Sequence, residues 1–362
     1  MNLYALGWNA FFADHFQQLE DKNCLPARIT IEQKDYYLAY GEEGEVKARL
    51  PGRFRHTAIT RADLPVVGDW VAVKKQTGTT EVAVQAVLPR KSRFVRKAPI
   101  SGGRKLGQVG GRETIIGGVT EEQVIAANID VLALVSALDL NFNLRRIERF
   151  LTLAASSGTK PVLLLNKTDL CDDVELYRTQ VRSIATGIPV HALSALQGSG
   201  LGVFEDYLSS GQTLAFIGSS GVGKSTLVNA LLGEARQKVN AVSEHVGKGR
   251  HTTTYRELVI HPQGGIIIDT PGLRELQIWG EEDDVDEVFH EIEELIAQCR
   301  FGDCSHEKEP GCAVRQALLN GDLDAGRYES YCKQKSEMRY LAHKRKQKAK
   351  REGRRAKKGG LK

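Results

Sequence analysis

The 362-residue sequence contains no apolar run close to the ~20 residues that a membrane-spanning helix needs. Its start, Met1-Asn2-Leu3-Tyr4, lacks the charged-then-apolar pattern of a secretory signal. Cysteine is scarce: Cys24, Cys171, Cys299, Cys304, Cys312 and Cys332 are the only six, and three of them fall within fourteen residues. That clustering suits a metal site more than a disulfide framework, so a reducing, cytoplasmic compartment is expected. No internal repeat is visible, which argues against a solenoid. What remains is a chain long enough for two or three domains, with 41% hydrophobic residues to fill their cores.

The net charge of +5 hides a segregation. Residues 343–362 hold eleven Lys/Arg and one Glu, and residues 26–105 hold sixteen Lys/Arg against eight Asp/Glu. Basic material therefore flanks an acidic middle. Such a footprint suits a polyanion such as nucleic acid; a solvated surface is the plainer explanation for either segment alone.

Residues 26–97 read as five or six short strands, among them Arg28–Ile31, Tyr36–Tyr40, Glu45–Leu50, Trp70–Val73 and Glu81–Val87. Their apolar–polar alternation and turn-rich spacing predict a small basic all-β barrel of oligonucleotide-binding (OB) type. Residues 98–112, rich in Gly, Arg and Lys, predict a mobile linker or loop. From Asn128 onward, apolar strands alternate with helices: Val131–Val135, Leu144–Ala155, Pro161–Leu165, Val174–Ala185, Ile188–Ala192, Thr213–Ile217 and Lys224–Leu232. That alternation predicts a parallel sheet covered on both faces. An acidic helical stretch, Val285–Ile296, a Cys/His cluster and a basic tail complete the chain. The expected domains are 1–112 (barrel core 26–97, with linker), 113–282 (α/β) and 283–362 (mainly helical, metal-binding).

Strand Thr213–Ile217 leads into Gly218-Ser219-Ser220-Gly221-Val222-Gly223-Lys224-Ser225, the pattern G-x4-G-K-[ST]. Its glycines let backbone N–H groups turn around phosphates at the positive end of the following helix. Lys224 is expected to reach the β- and γ-phosphates, Ser225 to ligate Mg²⁺, and Thr226 to sit beside the nucleotide. Strand Pro161–Leu165 ends in Asn166-Lys167-Thr168-Asp169, or N-K-x-D. A carboxylate there accepts both the ring N–H and the exocyclic amine of guanine, a donor pair that adenine lacks. Asp269-Thr270-Pro271-Gly272 closes strand Ile266–Ile268. D-x-x-G is common by chance, so its placement gives it meaning: Asp269 for Mg²⁺ and the Gly272 N–H for the γ-phosphate. Between the two, Thr253 (Thr252 as alternative) is the candidate third Mg²⁺ group. Ser194-Ala195 is the candidate backbone contact to the guanine oxygen. Leu273 follows Gly272 where many GTPases carry a water-orienting glutamine. His251 is the nearest imidazole and the candidate replacement; a histidine that only contacts RNA or packs on the loop is the rival reading. Lys224, His251 and Thr253 form the expected catalytic set.

Cys299-x4-Cys304-x-His306-x5-Cys312 offers three thiolates and one imidazole, a full tetrahedral set for one structural Zn²⁺.

These motifs resemble those of translation-factor-class GTPases in rotated order: N-K-T-D (166–169) precedes the phosphate loop (218–225), which precedes D-T-P-G (269–272). With the basic barrel before and the Cys/His cluster after, nearly the whole chain resembles the bacterial small-ribosomal-subunit biogenesis GTPases. The stretches that carry the resemblance are Leu64–Val71, Ala126–Asp130, His251–Thr254, the nucleotide motifs and Cys299–Cys312. The resemblance implies a multi-domain fold: OB-like barrel, circularly permuted GTPase domain, C-terminal zinc domain. It implies GTP hydrolysis to GDP and phosphate with Mg²⁺, stimulation by the 30S subunit, binding to 16S rRNA, and a role in late 30S maturation. A monomer without membrane attachment is expected. Two other readings stand beside it: an ATP-using P-loop enzyme, which Asp169 disfavours, and an RNA-binding zinc scaffold with weak or vestigial hydrolysis, which the intact Lys224, Ser225 and Asp269 disfavour.

Overall fold

The computed structural model describes residues 2–57, 60–76, 78–98, 105–109, 112–116, 122–233, 256–270 and 278–359. Two compact units are present. One contains Met1–Phe94 with Val124–Leu276, the other Val95–Gln123 with Gln277–Lys362.

In the first unit, β1 (Leu25–Glu32), β2 (Tyr37–Gly41), β3 (Gly44–Arg49), β4 (Trp70–Lys75) and β5 (Val82–Val87) close into a barrel. Neighbours run β1-β2-β3-β5-β4, and β4 pairs back onto β1. Inward-facing Ala27, Ile29, Ala39, Ala48, Val71, Val73 and Val84 fill it, as their period of two requires. A 3-10 turn at Leu3–Leu6 and helix α1 (Ala10–Gln17) pack Leu3, Leu6 and Phe12 onto Trp70 and Leu88. A second short helix, α2 (Gly52–Thr57), follows β3.

The linker expected at 98–112 is corrected in part. Strands β7 (Lys105–Val109) and β8 (Arg112–Ile116) pair antiparallel, while β6 (Arg93–Lys97) pairs with β9 (Glu122–Ala127). Register places Val109 opposite Arg112; Gly110 and Gly111 lie outside the described residues. A Gly-Gly pair between apolar-containing runs is a hairpin signal that loop composition had masked.

Beyond β9 come β10 (Val131–Ala137), α3 (Leu144–Ala155), β11 (Lys160–Asn166), α4 (Val174–Ile184), β12 (Val190–Ala192), β13 (Thr213–Gly218), α5 (Lys224–Leu232), β14 (Glu257–Ile260) and β15 (Ile266–Asp269). Sheet order is β12-β11-β10-β13-β15-β14, parallel except for β14. The strands are buried on both faces, which explains their uninterrupted apolar runs. β14 also pairs with β1 through Ile31 and Glu257, so barrel and parallel sheet are continuous. At the join, the fully buried Arg28 donates to the carbonyls of Leu6, Gly68 and Asn128 and to the Thr213 hydroxyl. Asp69 and Asp130 supply the compensating charge, and burial holds the guanidinium down to about 10.

In the second unit, α6 (Glu282–Val288), α7 (His290–Ala297), α8 (Ala313–Asn320) and α9 (Ala325–Gly359) follow one another, and Val285, Phe289, Ile292, Val314 and Met338 are each buried. The single helix expected over 285–296 breaks at Phe289, whose dihedrals leave the helical region. Among the described residues no helix is long and apolar enough to cross a membrane.

Candidate functional site

The carboxyl ends of β10, β11, β12, β13 and β15 gather the sequence motifs at one edge of the parallel sheet. Gly218–Gly223 connects β13 to α5, with Gly221 and Gly223 at φ +84° and +95°. A Cβ on Gly223 would sit 2.3 Å from Asn166 Nδ2, so only glycine fits there. Lys224 is buried and donates from Nζ to the carbonyls of Gly218 and Ser219, 2.8 Å each. Burial lowers its pKa to about 8, against an opposing pull from Asp269. Asp269 ends β15 and is also buried. Ser225 and Thr226 are exposed in the first turn of α5.

Asn166 is the hinge of the site. Its Nδ2 donates to the Val222 carbonyl at 2.8 Å, and its Oδ1 accepts the Ala195 N–H at 3.0 Å. One amide therefore ties N-K-x-D, the phosphate loop and Ser194-Ala195 together. Lys167 adopts φ +66° and its ammonium meets Asp139 at 2.8 Å. That hydrogen bond holds the Asp139 carboxyl below the ordinary carboxylate range. Thr168 N–H binds the Leu193 carbonyl at 3.3 Å. Asp169 accepts the Ser194 hydroxyl, which aims its carboxylate along the same rim. The backbone of Thr270 follows, with its hydroxyl on the Phe216 carbonyl at 2.6 Å. The structure thus brings together 166–169, 194–195, 218–226 and Asp269. His251, Thr253 and Gly272 lie outside the described residues.

Sequence reasoning missed Asp139, the partner of Lys167. Its signal was available: a carboxylate two residues beyond an apolar strand that neighbours β11.

The Cys/His cluster stands in the second unit, between α7 and α8. The ligand atoms of Cys299, Cys304, His306 and Cys312 lie within 4.8 Å of one another. His306 Nδ1 is 3.6 Å from Cys299 Sγ and 3.5 Å from Cys312 Sγ, and the two sulfurs are 4.0 Å apart. A tetrahedral ion with metal–sulfur bonds of ~2.3 Å and metal–nitrogen bonds of ~2.0 Å would space its ligands ~3.6–3.8 Å apart. The cluster can therefore hold a metal ion. Cys312 also caps α8, its sulfur accepting the Arg315 N–H at 3.4 Å.

A parallel sheet whose N-K-x-D motif precedes its G-x4-G-K-S loop in the chain defines a circularly permuted P-loop GTPase. The RsgA GTPase family model matches residues 111–279. The chain is 46% identical to the small ribosomal subunit biogenesis GTPase RsgA of Opitutus terrae, over 94% of this chain and 91% of that protein. It is 43% identical to the RsgA of Syntrophotalea carbinolica, over 93% and 90%. The crystal structure of YjeQ from Thermotoga maritima superposes with a TM-score of 0.59 at 28% identity, covering 87% of this chain and 98% of that one. YloQ, described as a circularly permuted GTPase, gives 0.56 at 25% identity, over 89% and 97%. The chain belongs to the RsgA family and is a GTP-hydrolysing enzyme.

Proposed function

We propose that this GTPase binds the small (30S) ribosomal subunit, contacts 16S rRNA, and acts in late subunit maturation, hydrolysing GTP to GDP and phosphate on the subunit. The family relatives are named for small-subunit biogenesis, and the basic barrel strands and basic C-terminal helix suit an RNA partner. Residues 1–112, 113–282 and 283–362 act as the barrel, GTPase and metal modules. The observation that carries the reading is the double hydrogen bond of Asn166, which supports a single guanine-nucleotide pocket from 166–169, 194–195 and 218–226. Ser225, Asp269 and Thr253 hold Mg²⁺, which shields the triphosphate. Asp169 reads guanine. Gly272 senses the γ-phosphate, and His251 orients water in place of the glutamine that Leu273 replaces. Cys299, Cys304, His306 and Cys312 hold one Zn²⁺, which folds the module around it. The segment after Asp269 leads into the second unit, so nucleotide state sets how the two basic regions engage RNA. The deciding measurement is GTP turnover by the full chain with and without purified 30S subunits. Acceleration of at least tenfold is expected. A rate indifferent to subunits overturns the subunit-dependent part of this reading.

A further inference from the structure

The loop that follows β10 stands between the two nucleotide motifs. Register sets Val135 of β10 against Leu164 of β11 on one side and against Gly218, the first residue of the phosphate loop, on the other. β10 then runs on to Ala137, opposite Asn166. Asp139 comes two residues later and lines a cavity of about 530 Å³ together with Ser219–Val222. A carboxylate beside a loop built to hold phosphates repels them unless it is paired.

Both oxygens of this carboxylate are committed. Oδ1 accepts the Asn141 N–H at 2.8 Å, and the Asp139 carbonyl accepts the Phe142 N–H at 2.9 Å, so the loop closes as a tight turn. The Phe142 ring packs edge-on against Tyr177 of α4, with 4.7 Å between ring centres, which fixes that turn. Oδ2 accepts the Lys167 ammonium at 2.8 Å. Lys167 holds φ +66° and ψ +41°, a left-handed conformation that a lysine seldom adopts unless its surroundings hold it. Its neighbour Asn166 anchors the backbone at one end, and Asp139 anchors the side chain at the other. The Lys167 stem therefore runs from the end of β11 to the loop after β10, toward the phosphate loop. A four-carbon stem with a free tip would sample many rotamers, and the ion pair removes that freedom.

We propose that Asp139 is a positioning residue for the guanine nucleotide: it pins the Lys167 ammonium so that the lysine stem lies across the rim between Asn166–Asp169 and the phosphate loop, as an apolar floor beneath the nucleoside. The inference rests on the reading that those two motifs form one guanine-nucleotide pocket. A nucleoside whose base is read at Asp169 and whose phosphates sit at 218–225 must cross that rim. The stem meets GDP and GTP alike, so its displacement weakens both equally and leaves the chemical step alone. Charge by itself predicts the opposite sign. Neutralising Asp139 would remove a repulsion, release the Lys167 cation and tighten the binding of phosphates.

Fluorescent GDP titration and steady-state GTP turnover by the full chain, alone and with 30S subunits, test this in wild type, D139N, D139S, D139E, K167M and the double variant D139N/K167M. D139N and D139S each keep an oxygen for the Asn141 N–H, so the turn survives while the ammonium loses its anion; urea midpoints report whether each variant folds. GDP affinity is expected to fall about tenfold in D139N and in D139S, with KM for GTP rising by the same factor and kcat staying within twofold. D139E keeps the anion on a longer stem and should return to within threefold of wild type. In the K167M background D139N should change GDP affinity less than twofold, because the two residues act as one unit. A folded D139N or D139S that binds GDP as tightly as wild type, or more tightly, overturns the inference. So does a tenfold loss that persists in K167M, which would make Asp139 act through its turn and not through the lysine. A wild type that binds no guanine nucleotide sinks the pocket reading instead, so the two failures are distinguishable.

Discussion

The two compact units are held together by different forces. The first buries long apolar strands, Val131–Ala137 and Thr213–Gly218 among them, and puts one fully desolvated cation, Arg28, at the join of barrel and sheet. The second has a thin core and binds α9 to α6 and α7 through a row of ion pairs. Arg327 meets Glu291, Lys335 meets Asp286, Arg339 meets Glu282 at 2.9 Å, and the Arg345 guanidinium sits 4.3 Å from the Trp279 ring centre. The exposed Arg339–Glu282 pair contributes little, about 0–1 kcal/mol, whereas Arg327 and Lys335 are buried and reach out to partly exposed carboxylates. With so few buried apolar residues, the second unit is expected to depend on a metal at its Cys/His site more than the first depends on any single group.

Removing the metal should expose that contrast most strongly. Structural zinc in small domains contributes about 10–16 kcal/mol, so chelation is expected to unfold the cluster and loosen α7 and α8. The sheet of the first unit should keep its protection; hydrogen exchange measured on both units decides. Next in size is Arg28→Ala, which strands buried carbonyls and should cost the first unit about 3–5 kcal/mol in urea unfolding. The second unit's exchange should not change, and a variant that melts both units together would break the comparison. Asp169→Asn should leave both units folded and weaken GTP binding by about 3 kcal/mol, or more than a hundred-fold. An amide offers a donor to the 2-oxo group of xanthine, so xanthosine triphosphate should gain what GTP loses. The smallest effect concerns Lys224, whose pKa near 8 in the nucleotide-free protein must rise once phosphates bind. Binding then takes up a proton above that pH. Affinity should be flat below pH 7 and fall up to about tenfold per pH unit above 8. Fluorescent GDP titrations from pH 6.5 to 9.5 read it, and a flat profile would mean that Lys224 stays charged throughout.

Much of the site was legible because its chemistry is local. Gly218–Ser225 and Asn166–Asp169 announce phosphate and guanine contacts within a few residues, and the apolar runs before them announce strands. The zinc-type cluster is likewise local in spacing. Asp139 and Arg28 were not legible, because each gains its meaning from partners far along the chain: Lys167 for the first, the carbonyls of Leu6 and Asn128 for the second. Charge counting treats Arg28 only as one of the sixteen Lys/Arg in 26–105, whereas folding buries it completely. The strand pair 105–109 and 112–116 escaped because the glycine-rich composition around it signals a loop.

The rotated strand order also governs how this molecule can come into being. A chain emerging from its N-terminus completes β10, β11 and β12 before β13 exists. Yet β13 is the strand that lies between β10 and β15. Until residue 218 or so has been made, one side of β10 is a bare row of peptide groups, and Asn166 has no Val222 carbonyl to hold. The newborn protein owns Asn166–Asp169, the half of the proposed pocket assigned to the base, before it owns Gly218–Ser225, the half assigned to phosphate. Nucleotide can therefore act as a template only once β13 has been added to the open edge of β10, before β15 exists to cover its other side.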